Sequence, residues 1–598
     1  MLLAAFFTAA DSAASFRRYF ANESRERILL EKIKTVIVRM KSEKALWNLR
    51  RKGGRNDMSN EQSSVFVRKS TGLVREASFW DAAIFTACFS APVGTTIAFS
   101  TFWALGAYPG TNLLLAILLA AVFDIPICIM MAYMASAMPR TGGDYVWVSR
   151  IIHPRIGMIS SVAATLSALI GAAYWARIWG SMGWGPSFVI LGNITNNQSL
   201  IQFGHACSGT AGTFILGFIL LFILLLTLAA GTKRMFKIQN FCFLIGMIGT
   251  VLALIVFAVG DHSTFVKNFN DFARQYTASE DSYQSIIETA KAAGYTGAAG
   301  KFATTTAPTI VCIFTFMVWN FWSVYLSGEM KGAGNRKRQV SIMFTALIFD
   351  TGFMIIGYLL MTKVLGSDFM KAINFLSTAD AEKYPLPTDP YFSLFSGLIA
   401  KNPLLNTLIA VSFLFWNLPA LIGNTFMPIR SFFAWSFDRV LPKKLSEVDE
   451  RTHAPLPAII TVVTLVSAIF IWSNLSTSFN TLLSMGILCG VVEIVLVAVA
   501  AIRMPYSQKD LYRTSPANVQ IGKVPVLVIT AVLSIAVMGY VTYLLMAFPS
   551  IGISSPAAGF GFMTGIVIVG LAIYQIASSV QKAKGIDISL AYKELPPE

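Results

Sequence analysis

The stretch Phe89-Ser-Ala-Pro-Val-Gly-Thr-Thr96 lies inside an apolar run, 79–104, that is long enough to cross a bilayer. Pro92 removes a backbone donor and pushes the residue before it out of the helical region. Gly94 tolerates almost any backbone angle, and Ser90, Thr95 and Thr96 place three hydroxyls around the pair. In lipid a helix satisfies its own backbone groups, so a break within a span must line a cavity or be buried in protein. The segment therefore reads as a helix interrupted at mid-membrane; a simple proline kink is the other reading.

Outward from this segment the whole chain has the same character. Of 598 residues 55% are apolar and 13% charged, against about 25% charged in soluble domains, and the mean hydropathy is +0.62. Runs of spanning length recur at about 111–137, 157–191, 212–230, 238–260, 306–328, 341–362, 403–429, 456–473, 478–502, 524–547 and 558–580. With the first they predict about twelve transmembrane helices in an all-α membrane protein. The runs are far longer than the alternating segments of outer-membrane barrels.

The net charge of +16 comes from 47 basic and 31 acidic residues. Connectors 139–156, 231–237, 329–340, 430–455, 503–523 and the tail 581–598 hold 22 Lys and Arg in 102 residues, against 8 in 130 on the other side. The basic set reads as cytoplasmic, with both termini inside and anionic lipid as its partner. No nucleic-acid motif accompanies the charge, so no nucleic-acid partner is expected. Residues 1–78 read as a basic cytoplasmic N-terminal extension, with Met58 as an alternative start.

Most of the parts for covalent or ATP-driven chemistry are missing. His153, His205, His262 and His453 all fall in predicted loops, without clustered metal-ligand spacing. Gly294-Tyr-Thr-Gly-Ala-Ala-Gly-Lys301 is one residue too long for a phosphate loop, and Phe302 stands where the magnesium-binding hydroxyl belongs. No metal, no cofactor and no enzyme activity are expected, which leaves a carrier or a channel. Five cysteines lie in apolar runs and Cys207 in a loop, so no disulfide framework is implied. Asp124, Arg177, Asp350 and Glu493 lie inside spans. An Asp or Arg at a lipid-facing centre costs at least about 2.5–3.5 kcal/mol, so these four should face the bundle interior or water. They are candidates for coupling or gating, or else buried helix glue, with Arg177 toward an outer vestibule. Asp81 and Glu329, at helix ends, read as interfacial.

The connector Met138-Pro-Arg-Thr-Gly-Gly-Asp-Tyr-Val-Trp-Val-Ser-Arg150 resembles the P-x-x-G-G-x-Y loop of the amino acid–polyamine–organocation transporter superfamily. Ser323-Val-Tyr-Leu-Ser-Gly-Glu-Met-Lys331 is similar to the exit of that family's sixth span. Phe432-Phe-Ala-Trp-Ser-Phe-Asp-Arg-Val-Leu-Pro-Lys443, followed by Ala454-Pro-Leu-Pro457, resembles its loop after span eight. The matches stand in order and cover roughly 75–505; archaeal and bacterial amino acid permeases are most similar in pattern. The resemblance implies a LeuT-type 5+5 inverted repeat with broken helices 1 and 6. The transport core is then 79–505, with repeat one at about 79–260 and repeat two at about 306–505, and 506–598 supplies two trailing helices and a cytoplasmic tail.

By the same resemblance Ser90, Ala91, Pro92, Val93, Gly94, Thr95 and Thr96 bind substrate together with Phe316, Trp319 and Asn320. The amides of Val93, Gly94 and Thr95 would hold a carboxylate, and carbonyls near Phe316 an ammonium. Tyr174 or Trp319 would close over the site, with Asn417 as a further candidate. Many members carry a Lys in span five; Gly246 stands at that place, which moves the expectation from proton coupling by that group toward sodium coupling or exchange. The expected function is alternating-access transport of amino acids or related small amines across the plasma membrane. A polyamine, other organocation or nucleobase carrier, or a channel or sensor on a similar bundle, stays open as an alternative.

Overall fold

The computed structural model describes residues 73–90, 102–476, 479–551, 553 and 555–593, which belong to the unit Arg68–Glu598. The expectations for the extension up to residue 72 and for Ala91 to Thr96 lie outside the described residues.

Among the described residues eleven helices are long and apolar enough to cross a membrane. The first run, 79–104, is represented by α1 (Phe79–Ser90) and a short helical stretch at 102–107. A reciprocal cap starts α1: the Asp81 N–H donates to Ser78 Oγ at 3.1 Å and the Ser78 N–H to Asp81 Oδ2 at 3.0 Å, satisfying two orphan donors of the first turn. The chain continues through α2 (Leu113–Ala137) and the short α3 (Gly143–Ile151). Span three is composite: α4 (Pro154–Ile178), a π-helical turn Trp179–Trp184 and α5 (Gly185–Ile194).

Then follow α6 (Gln198–Ser208), α7 (Thr210–Ala229), α8 (Thr232–Val259), α9 (His262–Thr277) and α10 (Ser282–Ala292). Span six begins with α11 (Ala307–Met317), and span seven is α12 (Arg336–Leu365). Next come α13 (Ser367–Ala379) and α14 (Phe392–Ala400), and span eight is split into α15 (Pro403–Leu414) and α16 (Asn417–Phe437). The remaining spans are α17 (Leu456–Leu475), α18 (Phe479–Ser507), α19 (Val526–Ala547) and α20 (Pro556–Ala583). A two-residue hairpin, β1 (Gln520–Ile521) with β2 (Val524–Pro525), links α18 to α19.

The core sits around α4, which packs on α16, α17, α18 and α20, while α1 packs on α8, α12 and α16. Spans three and six are the most enclosed and α20 the least. Exposed Phe222 and Leu226 on α7, and Phe241, Leu244, Ile248 and Ile255 on α8, make an apolar face too large for a soluble monomer. It is the lipid-facing belt of a multi-pass membrane protein.

Two features correct the sequence reading. The long connectors opposite the basic side are helical: α6, α9, α10, α13 and α14 lie within them. His205 therefore sits in α6, where Cys207 is also buried, and His262 opens α9. The reason is amphipathic spacing. Phe265 and Phe269 on α9 and Phe369 on α13 fall on apolar stripes of otherwise polar helices. They meet in a cluster with a Phe269–Phe369 centroid distance of 4.9 Å, and Tyr283 stacks on Phe369 at 4.2 Å. The second correction is Glu329, which is 1% exposed rather than interfacial.

Candidate functional site

Span six breaks without glycine or proline. The Val318 N–H still reaches the Phe314 carbonyl at 2.9 Å, but the Asn320 N–H turns to Met317 O at 3.2 Å and the Trp322 N–H to Trp319 O at 3.0 Å. A 3-10 turn, Trp322–Leu326, follows. Bulk takes the place of the usual breakers: the Trp319 indole N–H donates to the Thr315 carbonyl at 2.8 Å, one turn back, and its ring packs 4.9 Å from Trp322.

Span eight breaks beside the π turn of span three, and the two are knitted together. The Trp179 indole donates to Leu414 O at 3.0 Å, and Asn417 Nδ2 donates to Trp175 O at 3.2 Å. These bonds occupy carbonyls that broken helices leave over.

Between these segments lies a cavity of about 60 Å³ bounded by spans three, six, eight and ten. The structure brings Tyr174, Phe316 and Trp319 together around it, and adds Ser167, Thr315 and Asn424. No charged side chain is among its described lining residues. Asn320 and Asn417 are not brought to it. Asn417 faces Trp175, and Asn320 donates to Asp124 Oδ2 at 3.1 Å, with the Cys128 thiol 3.5 Å from the same oxygen. Ser90 closes α1; Ala91, Pro92, Val93, Gly94, Thr95 and Thr96 lie outside the described residues. Arg177 is partly exposed just before the π turn, and Asp350 is 2% exposed on α12.

Glu493 belongs to a cluster that the sequence did not reveal. Tyr325, at the end of span six, places its hydroxyl 2.6 Å from Asp144 Oδ1 and 3.0 Å from Glu493 Oε1. Ser160 of α4 donates to Asp144 Oδ2 at 2.6 Å. Burial pushes the Asp144 carboxyl above its ordinary range, while the bonds from Ser160 and Tyr325 pull it back down. The glycine pair of the first motif makes this contact possible. Gly142 and Gly143 have φ of +98° and +43°, and a Cβ on Gly143 would stand 2.9 Å from Tyr325 Cε1. Asp144 was legible only as the variable position of that motif.

One buried ion pair joins the first motif to the third, and a second ties the second motif to α16. Arg150 donates to Asp438 Oδ2 at 2.6 Å, and the Tyr592 ring of the C-terminal segment covers its guanidinium at 4.8 Å. Arg430 pairs with Glu329 through Nε and Oε1, and through Nη2 and Oε2 at 2.9 Å. Thr232, at the start of α8, donates to Glu329 Oε2 at 2.6 Å. Gly246 also has a physical reason: a Cβ there would lie 2.7–2.9 Å from three atoms of the Trp416 indole, whose N–H reaches Thr250 Oγ1 at 3.2 Å. The space beside span five is filled by the break of span eight.

Residues 78–574 match the family model described as amino acid permease. No curated protein matches the chain. With most of the chain matched, and with its many apolar spans, the protein belongs to the amino acid permease family of the amino acid–polyamine–organocation superfamily, and is a multi-pass membrane transporter of amino acids or related compounds.

Proposed function

We propose that the protein is a secondary active carrier of small, net-neutral amino acids, working by alternating access around the cavity between spans three, six, eight and ten. The observation that carries this reading is a small cavity at the break of span six whose described lining has hydroxyls, an amide and aromatic faces but no charge. A polyamine needs carboxylates at hand; Asp124 and Glu493 are buried elsewhere, against Asn320 and Tyr325. A zwitterion needs only dipoles for its two ends. The negative end of α11 at Met317 suits its ammonium, and the Ala91–Thr96 segment is the expected partner of its carboxylate. Tyr174, Phe316 and Trp319 are then substrate-contacting residues.

In this reading the core 79–505 is a 5+5 inverted repeat, the basic side faces the cytoplasm of a cell with the protein in its plasma membrane, and transport consists of one bundle rocking against the other. Reconstituted vesicles test it: saturable uptake of a radiolabelled neutral amino acid, with counterflow on preloading, is the expected result. Uptake that does not saturate, or current that rises linearly with voltage, would overturn it in favour of a channel.

A further inference from the structure

The Asp144–Tyr325–Glu493 cluster has more acceptors than hydrogens. A phenol has one O–H, yet Tyr325 lies at hydrogen-bond distance from both carboxyls, 2.6 Å from Asp144 and 3.0 Å from Glu493. Asp144 is served on both oxygens, by Ser160 and by Tyr325, as suits a carboxylate. Glu493 Oε2 is buried without a hydrogen-bond partner among the described residues, and both acids are 0–1% exposed. If the phenol hydrogen goes to Asp144, the Glu493 contact is a hydrogen bond only when Glu493 supplies the hydrogen.

No cation relieves the pair among the described residues. On α3, Arg150 is paired with Asp438 and Tyr145 faces Tyr592; at the span-six exit, Glu329 is paired with Arg430 of α16. Arg155 of α4, Arg503 of α18 and Lys582 of α20 are exposed. On α2, Asp124 is held by Asn320, and α19 has no charged residue. Cys489, one turn before Glu493, is the other titratable group nearby.

We infer that Glu493 and Asp144 form a proton-binding site holding one proton, carried by Glu493 and bridged to the Asp144 carboxylate through the Tyr325 hydroxyl. The three groups come from three elements, α18, α3 and the end of span six, with Ser160 on a fourth. Opening the basic side separates them, admits water and gives the proton a place to go. Resting on the carrier reading above, this makes the proton the coupling ion, moved with the substrate in each cycle, at a group other than the span-five position where Gly246 stands.

Two measurements test it. pH-difference infrared spectroscopy of the protein in lipid is expected to show a protonated-carboxyl C=O band at neutral pH that disappears in Glu493→Gln and persists in Asp124→Asn. In vesicles loaded with pyranine and given a mixture of ¹⁴C-labelled amino acids, an imposed pH gradient should drive accumulation with lumenal acidification, and Glu493→Gln should lose both. Should that variant not fold, Tyr325→Phe serves instead, with the band shifted because its bridging partner is gone. Survival of the native band or of gradient-driven accumulation in Glu493→Gln overturns the inference, as does an unshifted band in Tyr325→Phe. The infrared band needs no substrate: the band without any amino acid movement would overturn the carrier reading and support the proton site.

Discussion

Replacing Arg430 with Met removes one member of a buried pair and strands the other. The Arg430 and Glu329 side chains are 4% and 1% exposed, so water does not substitute for the lost partner. At 2.9 Å, between Nη2 and Oε2, the attraction is about 6 kcal/mol for an effective dielectric of about 20. Much of it is offset by the several kcal/mol needed to dehydrate each ion. Breaking the pair is costlier than its net worth, because the remaining carboxylate stays buried with only the Thr232 hydroxyl on it among the described residues. The expected loss is about 3–5 kcal/mol, or two to nearly four powers of ten in the folded-to-unfolded ratio. Equilibrium unfolding of the purified protein in lipid nanodiscs, followed by tryptophan fluorescence, measures it. The double variant Glu329→Gln with Arg430→Met, leaving no uncompensated charge, should recover most of the loss. A cost below about 1 kcal/mol for Arg430→Met, or a double variant as poor as the sum of the singles, would refute the reasoning.

Gly143→Ala should cost about 1–2 kcal/mol for the left-handed backbone alone, plus the crowding against Tyr325, and be visible as a lower unfolding midpoint with a displaced first basic connector. Gly246→Ala forces a methyl against the Trp416 indole and should cost about 1–3 kcal/mol by overpacking; Trp416→Phe in the same chain should restore part of it. Tyr174→Phe should weaken apparent substrate affinity about 2- to 12-fold, the worth of one hydrogen bond of about 0.5–1.5 kcal/mol, measured as the shift in the half-saturating concentration for vesicle uptake. Asn417→Ala, which removes a bond to the Trp175 carbonyl from a side chain that is not among the cavity's described lining residues, should lower stability with little change in that concentration.

The sequence alone was enough for the membrane class, for the eleven spans seen among the described residues, and for the family through three short motifs. Each rests on local physics: a run of about 20 apolar residues is a span whatever surrounds it, and a glycine pair between spans marks a tight turn. Helices α9 and α13 escaped because their apolar stripes sit in polar sequence and look like connector until they pack on each other. The break of span six escaped a residue-level explanation because it uses Trp319 and Trp322, residues with no local breaking tendency, and depends on what they touch.

What only the tertiary structure decided is which polar groups meet. Asp144, Tyr325 and Glu493 are separated by more than 150 residues at each step of the chain, as are Arg150 and Asp438; nothing in their local sequence pairs them. Burial makes the pairing obligatory, since a carboxylate or guanidinium taken out of water must find its partner or its proton inside the bundle. Hydropathy therefore revealed where the chain crosses the membrane, while the neighbours of the few charges inside it emerged only once the helices had packed.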